Sequence, residues 1–124
     1  MHHLLIVAHG SRRAASNQEI QALTELLASQ SKDFASVRCA FLELAEPSIP
    51  DALRQLIAEG ATKIIVMPYF LSAGRHVSED IPAEIDSVRF EHPQVEIHLA
   101  DYLGAAEGLR TLLLAQAQTA LARI

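Results

Sequence analysis

The sequence predicts an α/β fold: a three-layer sandwich around a mainly parallel four-stranded sheet. Two observations carry that expectation. Short apolar runs alternate with helical stretches in the order βαβαβαβα, the pattern of parallel strands joined by crossover helices. The first and third runs are also nearly unbroken in apolar residues, as strands covered on both faces are.

The first run, Leu4–Ala8 (LLIVA), stops at His9-Gly10-Ser11. A helix is expected from about Ala15 to Gln30, with Ile20, Leu23, Leu26 and Leu27 at helical spacing and Glu19 and Glu25 facing water. Val37–Leu42 (VRCAFL) is the second strand. Pro47-Ser48-Ile49-Pro50-Asp51 then opens a helix, where proline is tolerated and Asp51 suits the positive end of the dipole. Ala52, Leu53, Leu56 and Ile57 form its apolar face, and Gly60 ends it. Lys63–Phe70 (KIIVMPYF) is the third strand, which Pro68 should shorten. After the Leu71–Arg75 loop a helix runs from about His76 or Val77 to Val88, its first turn set apart or distorted by Pro82. Val95–Leu99 (VEIHL) alternates, as a more exposed fourth strand does, and Ala105–Ala122 is a long helix rich in alanine and leucine. That last helix suits a dimer interface as well as a core.

The 124 residues fit one domain, 1–124, and no linker, repeat or low-complexity tract interrupts them. Half the residues are hydrophobic and a fifth are charged, which is globular rather than disordered composition. A formal net charge of −5 argues against a general nucleic-acid binder. The single cysteine, Cys39, fits a reducing compartment and excludes a four-thiolate metal site within one chain. The Met1-His2-His3-Leu4 start does not read as a signal peptide, and no apolar run is long enough to span a bilayer, so a cytoplasmic location is expected.

In a parallel sheet, ligands bind at the carboxyl ends of strands near a switch in strand order. His9, Glu43 and the Leu71–His76 loop each follow a different strand and therefore share that edge. Two neutral imidazoles in a cleft can hold a borderline divalent metal, and Glu43 can add an oxygen ligand. A lone His9 could equally cap the helix after it; the convergence with His76 favours a ligand. Glu46 precedes Pro47 and has an ordinary reading as a partner of a helix dipole. In Leu71-Ser72-Ala73-Gly74-Arg75-His76, small residues let backbone N–H groups face a ligand, and Arg75 can grip a carboxylate. Glu79 and Asp80 read first as dipole partners of their helix. His92 and His98 read as surface residues without a role, and a metal role is set aside for the terminal His2 and His3.

Three stretches resemble one family. Leu4–Ser11 (LLIVAHGS), Phe41–Ser48 (FLELAEPS) and Pro68–His76 (PYFLSAGRH), with Val77–Pro82 (VSEDIP) after them, resemble the short sirohydrochlorin chelatases. The likeness runs in order over nearly the whole chain and is weakest in the last helix. It implies an ATP-independent class II chelatase that inserts a divalent metal into sirohydrochlorin. Cobalt, for cobalamin biosynthesis, is the first expectation; iron or nickel, for siroheme or coenzyme F430, are the alternatives. It further implies a homodimer of chelatase-fold halves. His9 and His76 match the family's metal ligands, Glu43 stands near a glutamate that approaches the metal, and Glu46 and Leu71–His76 match its substrate-contact region. Arg13 departs from a common pattern with an acid at that place.

Metallating a tetrapyrrole removes two pyrrole protons. A neutral histidine can accept one near neutral pH, so His9 is the expected base and ligand, His76 the second ligand and Glu43 the third. The metal is then a substrate, and no permanent cofactor is expected. Sirohydrochlorin carries eight carboxylates, for which Arg12, Arg13 and Arg75 are the candidate local positive charge. The rival readings are a metal carrier or sensor on the same fold, and a flavodoxin-like domain. The second is disfavoured by a first βα turn with no glycine-rich phosphate loop.

Overall fold

In the computed structural model, all 124 residues of which are described, four strands form one parallel sheet: β1 (His2–Ala8), β2 (Phe34–Phe41), β3 (Lys63–Pro68) and β4 (Glu96–Leu99). The strand order is β2-β1-β3-β4, with every neighbouring pair parallel. The chain winds to one side of β1 for β2 and to the other side for β3 and β4. The switch in order therefore falls between β1 and β3, the two strands that His9 and the loop before His76 follow.

The helices are α1 (Ala14–Gln30), α2 (Ile49–Ala58), α3 (Ile81–Glu91) and α4 (Gly108–Leu121). Helices α2 and α3 cover one face, where Leu5, Val7, Ala40, Ile64, Val66 and Ile97 meet Leu53, Leu56, Ile81, Ile85 and Val88 in the main core. Alternation turns the intervening residues the other way. On that second face α1 packs against β2, with Thr24 buried and its hydroxyl donating to the Ile20 carbonyl at 2.7 Å. Ser48 caps α2 by accepting the Asp51 N–H at 3.2 Å, and Gly60 leaves it at φ +101°.

Two expectations need correction. The first two strands begin earlier than expected, at His2 and Phe34, because the parallel pairing that starts at His2 and Phe34 extends both beyond their continuous apolar runs. The third ends at Pro68, where the proline was expected to shorten it. The final helix starts at Gly108, after a 3-10 turn at Leu103–Ala105. That helix has no buried residue, and its main contacts are with the 3-10 turn. Leu112, Leu113, Leu114 and Leu121 are each about 60% exposed or more. Nor is any helix long and apolar enough to cross a membrane.

The distorted turn at Pro82 takes a specific form. His76–Asp80 is a π-helical turn in which the Ile81 N–H reaches the His76 carbonyl. Pro82 has no N–H to donate back to residue 78, and the wider turn absorbs that loss before α3 begins.

Candidate active site

His9 lies at the end of β1, and Gly10 follows with φ +94°. A Cβ at Gly10 would stand 1.8 Å from the Glu43 carbonyl oxygen, so only glycine lets the two chain segments touch here. Beyond β2, the Glu43 N–H still donates to the His9 carbonyl at 3.0 Å. Leu44 then takes a positive φ of 66°, which turns the chain away from the sheet. This backbone pairing brings the side chains together: His9 Nε2 lies 2.7 Å from Glu43 Oε1. His9 does not cap α1; Ser11 and Asn17 close that turn through Ser11 N–H to Asn17 Oδ1 (2.9 Å) and Asn17 Nδ2 to the Ser11 carbonyl (2.7 Å).

From the far side of the switch, the π-helical turn presents His76. Its ring centroid is 4.7 Å from that of His9, with the planes inclined at 51°. His76 Nδ1 is 2.8 Å from Asp80 Oδ2. An ionised Asp80 keeps the proton on Nδ1 and leaves the Nε2 lone pair for a metal, the usual support for a ligating imidazole. His9, Glu43, His76 and Asp80 side chains are each about half exposed, so they are free to adjust.

Two concavities flank His76. One, of about 270 Å³, is lined by Leu42, Glu43, His76, Asp80, Ala83 and Glu84. The other, of about 280 Å³, runs from His9 and His76 along Phe70, Leu71, Ser72, Gly74 and Val77. Glu84 forms the acidic floor of the first. Its Oε2 is buried without a hydrogen-bond partner, and burial, helped by the Asp80 charge, pushes its carboxyl above the ordinary value of 4.5.

The expected site residues are thus only partly assembled. His9, Glu43 and His76 converge. Leu71, Ser72 and Gly74 line the second concavity, whereas Ala73 is exposed outside it. The Val77 and Ser78 N–H groups are already engaged by the Gly74 carbonyl, at 3.1 and 3.0 Å. Arg75 is 82% exposed and bound to Glu79 at 3.1 Å, which offsets its charge. Glu46 lies apart, in a third concavity with Asn17, Gln18 and Gln21 of α1. Arg12 and Arg13 are exposed at the entry to α1.

Sequence reasoning missed three contributors. Asp80 was expected to serve the helix dipole, yet it orients His76; the His-x-x-x-Asp spacing is the signal that could have found it. Glu84 lies one further turn along the same face. Gly104 backs the loop: its N–H donates to the Phe70 carbonyl at 3.0 Å, and a Cβ there would meet the Leu71 oxygen at 1.8 Å.

The same stretches are matched in known proteins. A chloroplastic sirohydrochlorin ferrochelatase of Arabidopsis thaliana is 40% identical over 80 residues, 64% of this chain and 35% of that protein. The chain thus spans about a third of that longer relative. A sirohydrochlorin cobaltochelatase of Saccharolobus solfataricus is 35% identical over 116 residues, 89% of this chain and 88% of its own length. Among solved structures, the sirohydrochlorin chelatase SirB of Bacillus subtilis subspecies spizizenii, in complex with cobalt, superposes with a TM-score of 0.83 at 30% identity. It covers 95% of this chain and 50% of its own. The CbiX family model matches residues 3–120, a span that takes in both strand ends, the π-helical turn and the histidine pair, and the chain belongs to the CbiX family.

Proposed function

We propose that this chain inserts a divalent metal into sirohydrochlorin, with cobalt as its first substrate metal and iron or nickel as alternatives. The observation that carries the reading is the His9–His76 pair, 4.7 Å apart at the switch in strand order. Each imidazole is backed by a carboxylate, Glu43 at 2.7 Å and Asp80 at 2.8 Å. The chelatase names of the relatives and the cobalt in the SirB complex support it.

The geometry divides the work. Asp80 leaves His76 Nε2 as a metal donor. Glu43 lies against His9 Nε2, so the pair can take up a pyrrole proton and share its charge. Insertion releases two protons as two metal–nitrogen bonds replace two N–H bonds at opposite pyrroles; His9 receives one directly, and solvent carries off both in the end. The exposed imidazoles and Glu43 then strip water from the ion stepwise as the macrocycle nitrogens replace it. The ion is a substrate, and Glu43 can turn from His9 to join its ligands. Leu71, Ser72, Gly74 and Arg75 border the remaining space for the macrocycle, and Glu46 with α1 offers a more distant contact.

The working unit in this reading is a cytoplasmic homodimer, each chain supplying one single-domain half. Each concavity beside His76 falls below the roughly 300–1,000 Å³ of ligand pockets, so one chain does not enclose a tetrapyrrole. The exposed leucines of α4 offer an apolar surface for the second copy.

The test is the absorbance of sirohydrochlorin as Co2+, Fe2+ or Ni2+ is added to the protein. Metallation faster than in buffer, abolished in His9→Ala and His76→Ala proteins with native circular dichroism, supports the proposal. Tight metal binding with no acceleration for any metal would make the chain a carrier instead. Wild-type turnover in both variants would refute the assignment of the pair.

A further inference from the structure

One set of three metal-ligating side chains in the molecule has its donor atoms within 4.8 Å of one another, and it is not in the active site. It consists of His2 on β1 with Glu96 and His98 on β4. The register explains the meeting. Leu4, Ile65 and His98 form one cross-strand row, and Lys63 and Glu96 belong to the next. His2, two residues before Leu4, projects from the same face. Strands β1 and β4 both flank β3, so the three side chains arch over β3 from either side. The His2 and His98 ring centroids are 6.2 Å apart, and His98 Nε2 is 3.8 Å from Glu96 Oε2.

Packing does not account for this cluster. Glu96 and His98 are exposed on an edge strand, where an isolated ion pair contributes little. Nor do the hydrogen bonds of the fold engage it. Neighbouring His3 gives its Nδ1 to Ser36 at 2.7 Å, whereas the side chains of His2, Glu96 and His98 bond to no other group. Lys63 is exposed and pairs with none of them; its charge is the feature of the row that opposes a cation.

We propose that His2, Glu96 and His98 form a second site for a divalent transition metal, separate from the site of metal insertion. Two imidazoles and one carboxylate suit Zn2+, Co2+, Ni2+ or Cu2+ and not the hard ions Mg2+ and Ca2+. Bonds of about 2.0–2.2 Å in a tetrahedron place ligand atoms roughly 3.4 Å apart. Closing from 4.8 Å takes about 1 Å of side-chain movement, which exposed rotamers allow, and water completes the shell. His2 begins β1 and His9 follows its other end, about 23 Å away at 3.3 Å per residue, so one ion cannot serve both. The bound metal clips the chain start and β4, a strand of four residues, together across β3. Occupancy therefore stabilises the folded chain by mass action.

The test uses full-length protein carrying His9→Ala and His76→Ala, so that zinc at the insertion site does not obscure the count. Competition with a chromogenic chelator should give one Zn2+ per chain, and zinc should raise the melting temperature. Adding His2→Ala or His98→Ala should weaken binding by more than about tenfold and abolish the thermal shift. His3→Ala should leave both unchanged. Zinc binding that survives the loss of His98, that follows His3 instead, or that is absent from the His9/His76 variant would overturn the proposal. Retained zinc binding by wild-type protein alone would assign it to the insertion site.

Discussion

His76 Nδ1 rests 2.8 Å from the carboxylate of Asp80, four residues later in a π-helical turn. An α-helical turn running straight into Pro82 would leave a carbonyl without its donor; the π turn both removes that conflict and presents the imidazole at the edge between β1 and β3. The turn that accommodates Pro82 and the contact between His76 and Asp80 occupy the same five residues, and π turns are frequent at functional sites.

Asp80→Asn should therefore keep the fold and lose the orientation of His76. We expect metallation turnover to fall about 10–100-fold, the range for loss of a ligand's supporting carboxylate, with sirohydrochlorin affinity little changed. Steady-state assays check this by separating kcat from KM. A rise in KM at constant kcat would place Asp80 in macrocycle binding instead.

Gly10→Ala should be costly in two ways. The new methyl would stand 1.8 Å from the Glu43 carbonyl, and φ of +94° is strained for any L side chain. A loss of about 2 kcal/mol or more in urea unfolding is expected. Because the displaced segment carries Glu43, metallation should fall further than stability alone explains.

Glu84 gives a pH signature. Burial and then the Asp80 charge raise its folded-state carboxyl above the ordinary 4.5. Its favourable contribution is thus full below the unfolded value and is lost as pH rises through the raised one. Glu84→Gln should match the wild type in melting temperature near pH 4 and exceed it near pH 7. Equal melting temperatures at both pH values would show that the carboxyl is hydrated and unperturbed.

The leucines of α4 should report on assembly. Leu113, 61% exposed, lies on a helix with no buried residue. Leu113→Asp should shift the sedimenting species from dimer toward monomer at micromolar concentration and reduce metallation with it. A wild-type protein that sediments as a fully active monomer would remove the role proposed for a second copy.

The sequence by itself determined the layers and the edge on which to look. Apolar runs of strand length set between helical stretches specify parallel crossovers, since each run needs cover on both faces, and that topology alone carries His9, Glu43 and His76 to one end of the sheet. Gly60 and Pro82 also announced their local effects, because backbone restrictions act within a few residues. The four-residue spacing offered Asp80 to His76 and Glu79 to Arg75, and the folded turn forms both pairs, at 2.8 and 3.1 Å. What lay beyond the sequence was pairing between side chains distant in the chain. Only the register of β1 against β2 fixes the 2.7 Å contact of His9 with Glu43. The same holds at the opposite end of the sheet. His2 and His98, 96 positions apart and read singly, are surface histidines; they meet because their two strands flank β3, and lateral order in a sheet is a property of the whole chain's packing.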